Sequence, residues 1–374
     1  DYHNILNRQI LFGTVKIQTK SSIIRHIPIV HGGKNTLQNT DSSIIDFSSN
    51  ISPIGTPIPV KKILKKNIEN IQNYPDFNSS TVISNLKKYT QLEKSNLLVG
   101  NGAIEIIYNF CFAFLSKKTK ILIPIPTFQE YETAAKLNNC QISYFKTMNL
   151  SENLDLFISQ IPKNGCVFIC NPNNPTGKLL PKNQLLEIIK KAKKLSTLVF
   201  VDECFIEMVP ESNESIISYI KKYENLFVLR SLTKSFALPG IRIGYAVASR
   251  QMIEILEKIK IPWSVNSLAQ DAANTALKNK SHLIKSNLMI KKELNYLINK
   301  INRLDGFHCD ASSTNFILIK IKKDSTKLQK RLLEQKILIR DCKNFRGLNN
   351  HYIRIAVKSH KDNLKLVQAL EKVA

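Results

Sequence analysis

From Lys120 to Ala248 the chain alternates short apolar runs with longer amphipathic stretches. Lys120–Pro124, Cys166–Cys170, Thr197–Asp202, Leu226–Arg230 and Ile243–Ala248 are near-continuous blocks of branched and aromatic residues. Blocks of that length and texture predict strands buried on both faces. Between them the period becomes helical, as in Gln184–Leu195, with apolar residues at 185, 186, 188, 189 and 192. Strands separated by helices of about a dozen residues imply βαβ units and a largely parallel sheet. From Trp263 the texture changes. A long helical run is expected through about Leu304, then strands near Asn315–Lys320 and Tyr352–Val357, then a closing helix. The pattern divides the chain into a large α/β domain at 60–262 and a smaller α+β domain. The smaller one combines 1–59 with 263–374.

Composition narrows the class. A chain of 374 residues with 43% hydrophobic and 22% charged positions is built to fold, and its length suits two packed lobes. The most apolar stretch, Ile104–Leu115, contains Glu105 and is shorter than the roughly 20 residues a membrane helix needs. The first thirty residues mix Arg8, Lys16, Lys20 and Arg25 with apolar positions and show no signal-peptide core, so a cytoplasmic protein is expected. Lys plus Arg outnumber Asp plus Glu by 54 to 29, a net charge of +25. The lysines are scattered, as in Lys61-Lys62-Ile63-Leu64-Lys65-Lys66, with no basic arm and no interleaved aromatics. That argues against a nucleic-acid partner and suits a pocket for phosphorylated small molecules. Seven dispersed cysteines without a CxxC pair imply a reducing compartment, and neither they nor the histidines show metal-ligand spacing.

Four clusters carry chemistry. Gly100-Asn-Gly-Ala-Ile-Glu105 is a glycine turn opening an apolar helix, whose free N–H groups suit a phosphate, although such turns also occur for structure alone. Asn171-Pro-Asn-Asn-Pro-Thr-Gly177 follows a buried strand and is either a pinned turn or a loop presenting Asn174. Asp202 ends an apolar strand, where it either caps a helix or meets a cation. Lys234 lies in Arg230-Ser-Leu-Thr-Lys-Ser-Phe-Ala-Leu-Pro-Gly-Ile-Arg-Ile-Gly-Tyr245, just past a strand and eight residues before Arg242. A desolvated lysine beside another cation has a lowered pKa and becomes nucleophilic, whereas an ordinary lysine there sits on the surface.

In order and spacing these clusters resemble the signature of fold-type-I pyridoxal-phosphate enzymes, in the histidinol-phosphate aminotransferase branch, from about His31 to the C-terminus. The resemblance implies the aminotransferase fold: a mostly parallel sheet flanked by helices, plus a small α+β domain. It implies pyridoxal 5'-phosphate as cofactor, carried by Lys234, with Asp202 on the pyridinium nitrogen and Asn174 on the ring hydroxyl. Gly102, Ala103, Ile104, Ser231, Thr233 and Arg242 would hold the cofactor phosphate. Phe128 would stack on the ring. Tyr74 would reach in from a second subunit, which implies a homodimer with shared sites.

Within the branch, three stretches resemble the members that decarboxylate phosphorylated hydroxy-amino acids for cobalamin synthesis. They are His31-Gly-Gly33 with Asp46–Gly55, Pro262–Gln270, and Ile339–Leu348 with Tyr352–Ala356. The resemblance implies O-phospho-L-threonine or O-phospho-L-serine as substrate, held by His31, Asn50, Asn174, Arg340 and Arg354. Arg340 would take the phosphate and Arg354 the carboxylate. Ser52 and Lys34 stand where those members usually have asparagine, and Phe205 stands where aminotransferases of the branch place tyrosine. Two alternatives stay open: a histidinol-phosphate aminotransferase, and a catalytically silent binding protein on the same fold.

Overall fold

In the computed structural model residues 19–29, 31–33 and 41–373 are described. Residues 1–18, on which the expectation of no leader mainly rests, and the departure at Lys34 lie outside them. Strand β1 (Ile45–Asp46) precedes seven that form one sheet: β2 (Leu97–Gly100), β3 (Lys120–Ile125), β4 (Gln141–Lys146), β5 (Cys166–Cys170), β6 (Leu198–Asp202), β7 (Leu226–Ser231) and β8 (Gly244–Ala248). Their order is β2-β8-β7-β6-β5-β3-β4. Pairing is parallel from β7 through β4, and β8 runs antiparallel to both its neighbours. The five apolar runs of the sequence are the inner strands β3 and β5–β8. The sequence reading left out β2 and β4, which lie at the two edges. On β4 Gln141 and Ser143 are exposed, so no continuous apolar block marks it.

Alternation along the inner strands splits the core in two. Phe168, Phe200 and Phe227 point to one face, where they meet Phe110 of the helix Gly102–Phe114 and Tyr131 of the helix Glu130–Leu137. Val167, Val199 and Val201 point to the other, with Leu185, Ile188 and Ile189 of the helix Lys182–Lys194. Each such buried side chain is worth about 1.5–3 kcal/mol of transfer free energy. Cys170 and Asp202 end their strands on the phenylalanine face, and that parity sets where their side chains emerge.

The helical run expected from Trp263 to Leu304 is instead two helices, Ser267–Ala276 and Lys280–Ile301. The first buries Ala269, Ala272, Ala273 and Ala276 in the valine-side core. The second buries Ile290, Leu294, Leu297 and Ile301 in the phenylalanine-side core. One straight helix cannot serve both, and the turn falls at Leu277–Asn279, where Asn279 leaves helical geometry. The chain then forms β9 (Phe307–Cys309), β10 (Phe316–Ile321), β11 (Ile337–Leu338), β12 (Arg340–Asp341) and β13 (Tyr352–Ala356), and closes with the helix His360–Val373. Four of these make an antiparallel sheet in the order β12-β13-β10-β9, while β11 pairs with β1 in parallel. Among the described residues no helix is long and apolar enough to cross a membrane.

A buried ion network underlies the inner strands. Arg230 donates from Nε to Glu203 at 2.8 Å, from Nη1 to Glu207 at 3.2 Å and from Nη2 to Ser215 at 2.6 Å. Removing one partner of such a pair strands the other charge in a low dielectric. Glu203→Ala should therefore lower unfolding free energy by about 3–5 kcal/mol in urea titrations. A loss below about 1 kcal/mol, the usual worth of an exposed pair, would mean that water reaches Arg230.

Candidate active site

The carboxyl ends of β5, β6 and β7 open into a cavity of about 320 Å³, roofed by β12 and β13. Lys234 sits on a single helical turn, Leu232–Ser235, directly after β7. Ser231 caps that turn by accepting the Thr233 N–H at 3.2 Å. Burial pushes the Lys234 amine down to about 8, helped by Arg354 and Arg242 and opposed by Cys204 and Asp202. With a pKa of about 8, roughly a tenth of such a population is free base at pH 7, whereas an ordinary lysine is almost wholly charged. Lys234 thus sits desolvated beside two cations, the setting in which a lysine becomes nucleophilic.

Asp202 is its electrostatic counterpart. Its Oδ1 accepts the Cys204 N–H at 2.8 Å and its Oδ2 accepts the Tyr131 hydroxyl at 2.6 Å. Burial raises its pKa, and the Cys204 and Tyr131 donors and Lys234 only partly offset that. The carboxylate is short of positive charge, which is the condition a pyridinium would relieve.

At the opposite wall the helix Gly102–Phe114 starts without a side-chain cap, and Ala103 and Ile104 line the cavity. A Cβ at Gly102 would lie 2.7 Å from Arg242 Nη2, and one at Gly244 would lie 2.8 Å from the Ala103 nitrogen. Both glycines therefore clear the approach of β8 and Arg242 to that helix start. With Ser231 and Thr233 this makes a cup of donors suited to a phosphate. Phe128 lines the cavity two residues before the 130–137 helix, its ring 5.6 Å from that of Tyr131.

The roof is cationic. Arg340 and Arg354 are direct cross-strand partners on β12 and β13. Arg354 donates to Asn174 Oδ1 and, at 2.8 Å, to the Ser48 carbonyl, while its buried Nε has no partner. Burial, and the Arg340 charge beside it, push its pKa down to about 10. Arg340 lies over the Phe345 ring, 5.5 Å to the centroid, and donates to Asn344 at 3.2 Å. Asn50 lines the cavity with a buried Oδ1 that also lacks a partner. His31 closes one side, with Nε2 2.7 Å from Glu130 Oε1, and Tyr108 donates to the other oxygen of that carboxylate at 2.8 Å. Phe205 is buried against Phe316, edge to face, and brings no hydroxyl to the site.

One predicted site residue is elsewhere. Tyr74 is 82% exposed on the outer surface, its ring 5.0 Å from Trp263, and does not enter this chain's cavity. Conversely, the sequence reading overlooked Tyr131, Cys204, Glu130 and Ser48. Tyr131 had a usable signal, since it follows Phe128 by only three residues. Cys204 is reached locally, its N–H two residues on from Asp202, while Glu130 and Ser48 are reached only through tertiary contacts.

Residues 42–372 match the sequence profile of the aminotransferase class I and II family. The threonine-phosphate decarboxylase of Salmonella typhimurium is 33% identical over 92% of this chain and 96% of its own. The histidinol-phosphate aminotransferase of Methanococcus aeolicus is 31% identical over 88% of this chain and 90% of its own. Among solved structures, L-threonine-O-3-phosphate decarboxylase from Porphyromonas gingivalis superposes with a TM-score of 0.80 at 29% identity, covering 87% of this chain and 98% of that one.

Competitive acylation of cofactor-free protein, read by peptide mass spectrometry, should give Lys234 a half-reactive pH of about 8. Exposed lysines should stay near about 10.4. Because Arg354 is one of the charges depressing the amine, Arg354→Met should move that midpoint upward. A Lys234 midpoint indistinguishable from the surface lysines would show that its cavity is fully wet.

Proposed function

We propose, from the premise that this chain belongs to the aminotransferase class I and II family, that it decarboxylates O-phospho-L-threonine using pyridoxal 5'-phosphate. The observation that carries the reading is the pair of opposed, buried arginines, Arg340 and Arg354, facing a cavity that already contains Lys234 and Asp202. Two cations held apart on a rigid sheet suit a substrate with two anionic arms, a phosphate and a carboxylate.

The residues fit the cofactor. Asp202 would supply the charge its pyridine nitrogen needs, the cup formed by Ala103, Ile104, Ser231, Thr233 and Arg242 would hold its phosphate, and Phe128 would cover one ring face. When bound, it supplies an electron sink for a bond at the substrate Cα. The protein's part is to choose the bond. The bond standing perpendicular to the ring plane breaks most readily, so two fixed anchors on different arms set the outcome through the Cα torsion. Arg354, held in place by Asn174 and the Ser48 carbonyl, would take the carboxylate; Arg340 and His31 would take the phosphate. Lys234 Nζ, its pKa lowered to about 8, can carry a proton and deliver it to Cα in place of the departing carboxyl group.

The aminotransferase alternative has support in relatives such as the Methanococcus aeolicus protein. Against it stands Phe205, which offers no hydroxyl where that chemistry in this branch commonly has tyrosine. Tyr74, Phe77 and Trp263 form an exposed aromatic cluster, and we place it in a two-fold interface through which Tyr74 reaches the partner's phosphate cup.

Incubation with O-phospho-L-threonine should release carbon dioxide in proportion to substrate lost, with no keto acid; keto acid without carbon dioxide would hand the site to transamination. Arg340→Ala should lower kcat/KM for phosphothreonine by about 10²-fold or more, while leaving the poor activity on free threonine nearly unchanged. Equal losses on both substrates would contradict the phosphate assignment. Tyr74→Phe should weaken cofactor retention by about 1.5–3 kcal/mol, measured by dialysis equilibrium. Sedimentation showing an active monomer at micromolar concentration would rule out the shared site.

A further inference from the structure

Among the described residues lining the cavity Asp202 is the one acidic side chain, and a carboxylate on a strand end can rotate. Two donors restrain it here. The Cys204 N–H is fixed by the backbone of the turn after β6 and takes Oδ1. The Tyr131 hydroxyl takes Oδ2 at 2.6 Å. Tyr131 is fully buried, and its ring is stacked on Phe168 at 17° and tilted against Phe200, so the hydroxyl has no freedom to leave. It also follows Phe128 by three residues, in the first turn of the 130–137 helix, and the two rings meet edge to face at 5.6 Å. The residue placed to cover the cofactor ring and the residue that aims the carboxylate thus lie three positions apart with their rings in contact.

Resting on the reading of this site as a pyridoxal-phosphate site, we propose that Tyr131 is a positioning residue that acts through Asp202. Its hydroxyl fixes the carboxylate plane and keeps the carboxylate ionised, so that the remaining lone pairs face the ring nitrogen and hold it protonated. The groups facing Asp202 divide by element: Tyr131 from the 130–137 helix, Cys170 from the end of β5, Cys204 from its own turn, and Lys234 after β7. Burial pushes both thiols upward, so they stay neutral, and Lys234 is the one cation in that set. When Lys234 is engaged by cofactor or is unprotonated, the acid keeps only the Cys204 groups and this hydroxyl as donors, and the hydroxyl is the one that comes from another element. Removing it raises the carboxylate's proton affinity, and the proton shared with the ring nitrogen moves toward Asp202.

The test compares wild type with Tyr131→Phe, which keeps the ring packing and deletes the hydroxyl. Both proteins are loaded with cofactor labelled with 15N at the ring nitrogen, and the 15N shift is followed with pH. Wild type should keep a protonated-nitrogen shift across the folded pH range. The Phe variant should shift toward the unprotonated value and bind cofactor about ten- to a hundredfold more weakly, the worth of a hydrogen bond to a charged group. Tyr108→Phe, which deletes a hydroxyl donated to Glu130 instead, should keep the wild-type shift. An unchanged 15N shift and affinity in Tyr131→Phe would overturn the inference and leave the cofactor reading intact. Failure of wild type to bind pyridoxal 5'-phosphate at all would overturn both. Should the Phe variant not fold, wild type alone decides: a ring nitrogen titrating at its free-solution value would show that the clamped carboxylate does not hold the proton.

Discussion

A carboxylate at the end of β6 is buried with too little positive charge around it, and much of the site is arranged about that deficit. Burial raises the proton affinity of Asp202, while Tyr131, Cys204 and Lys234 pull it back. Lys234 answers in the opposite sense, its amine pushed down by burial and by two arginines. Acid and amine are neighbours, yet neither is paired off with the other as a simple salt bridge would be. Each is left available to a ligand. A pocket that had satisfied its own charges would have no free energy left for binding.

The same surplus appears in the roof. Like charges directly opposite on adjacent strands are normally avoided, because they repel at short range. Arg340 and Arg354 nevertheless form such a pair. Their burial, an aromatic face under each guanidinium, and hydrogen bonds to Asn344, Asn174 and the Ser48 carbonyl hold them in place. The cost is tolerable because the rest of the fold supplies rigidity. The two cores on either side of the large sheet and the helix Lys280–Ile301, which packs on the phenylalanine-side core, keep the strand ends from relaxing.

The strongly basic composition reads differently in this light. Most of the excess is spread over exposed helix faces, such as the last turns of the helices Ile58–Lys66 and Lys182–Lys194. The few cations that matter to ligands are arginines and a lysine inside the cavity, where the low dielectric multiplies each charge. Net charge alone says little about them.

How much of this was legible beforehand follows from the range of the forces involved. The inner strands, the glycine turn before the helix Gly102–Phe114 and the Lys234 string are written in local patterns, since a strand buried on both faces must be apolar throughout and a phosphate cup needs residues without side-chain bulk. Those features, and the family they resemble, came from sequence alone. The edge strands β2 and β4 did not: β4 is half polar and leaves no block, and the apolar run of β2, Leu97–Val99, is only three residues long before Gly100. The break at Leu277–Asn279 did not either, because it arises from two helices serving different cores rather than from a breaker residue. Glu130 and Ser48 became site residues only through contacts across 99 and 306 positions of chain, with His31 and Arg354. Tyr131 meets Asp202 across 71. Sequence determined which groups could do chemistry; the strand parity that turns Asp202 toward the aromatic face, and the register that sets Arg340 against Arg354, were decided by tertiary structure, because both depend on which distant segments share a sheet.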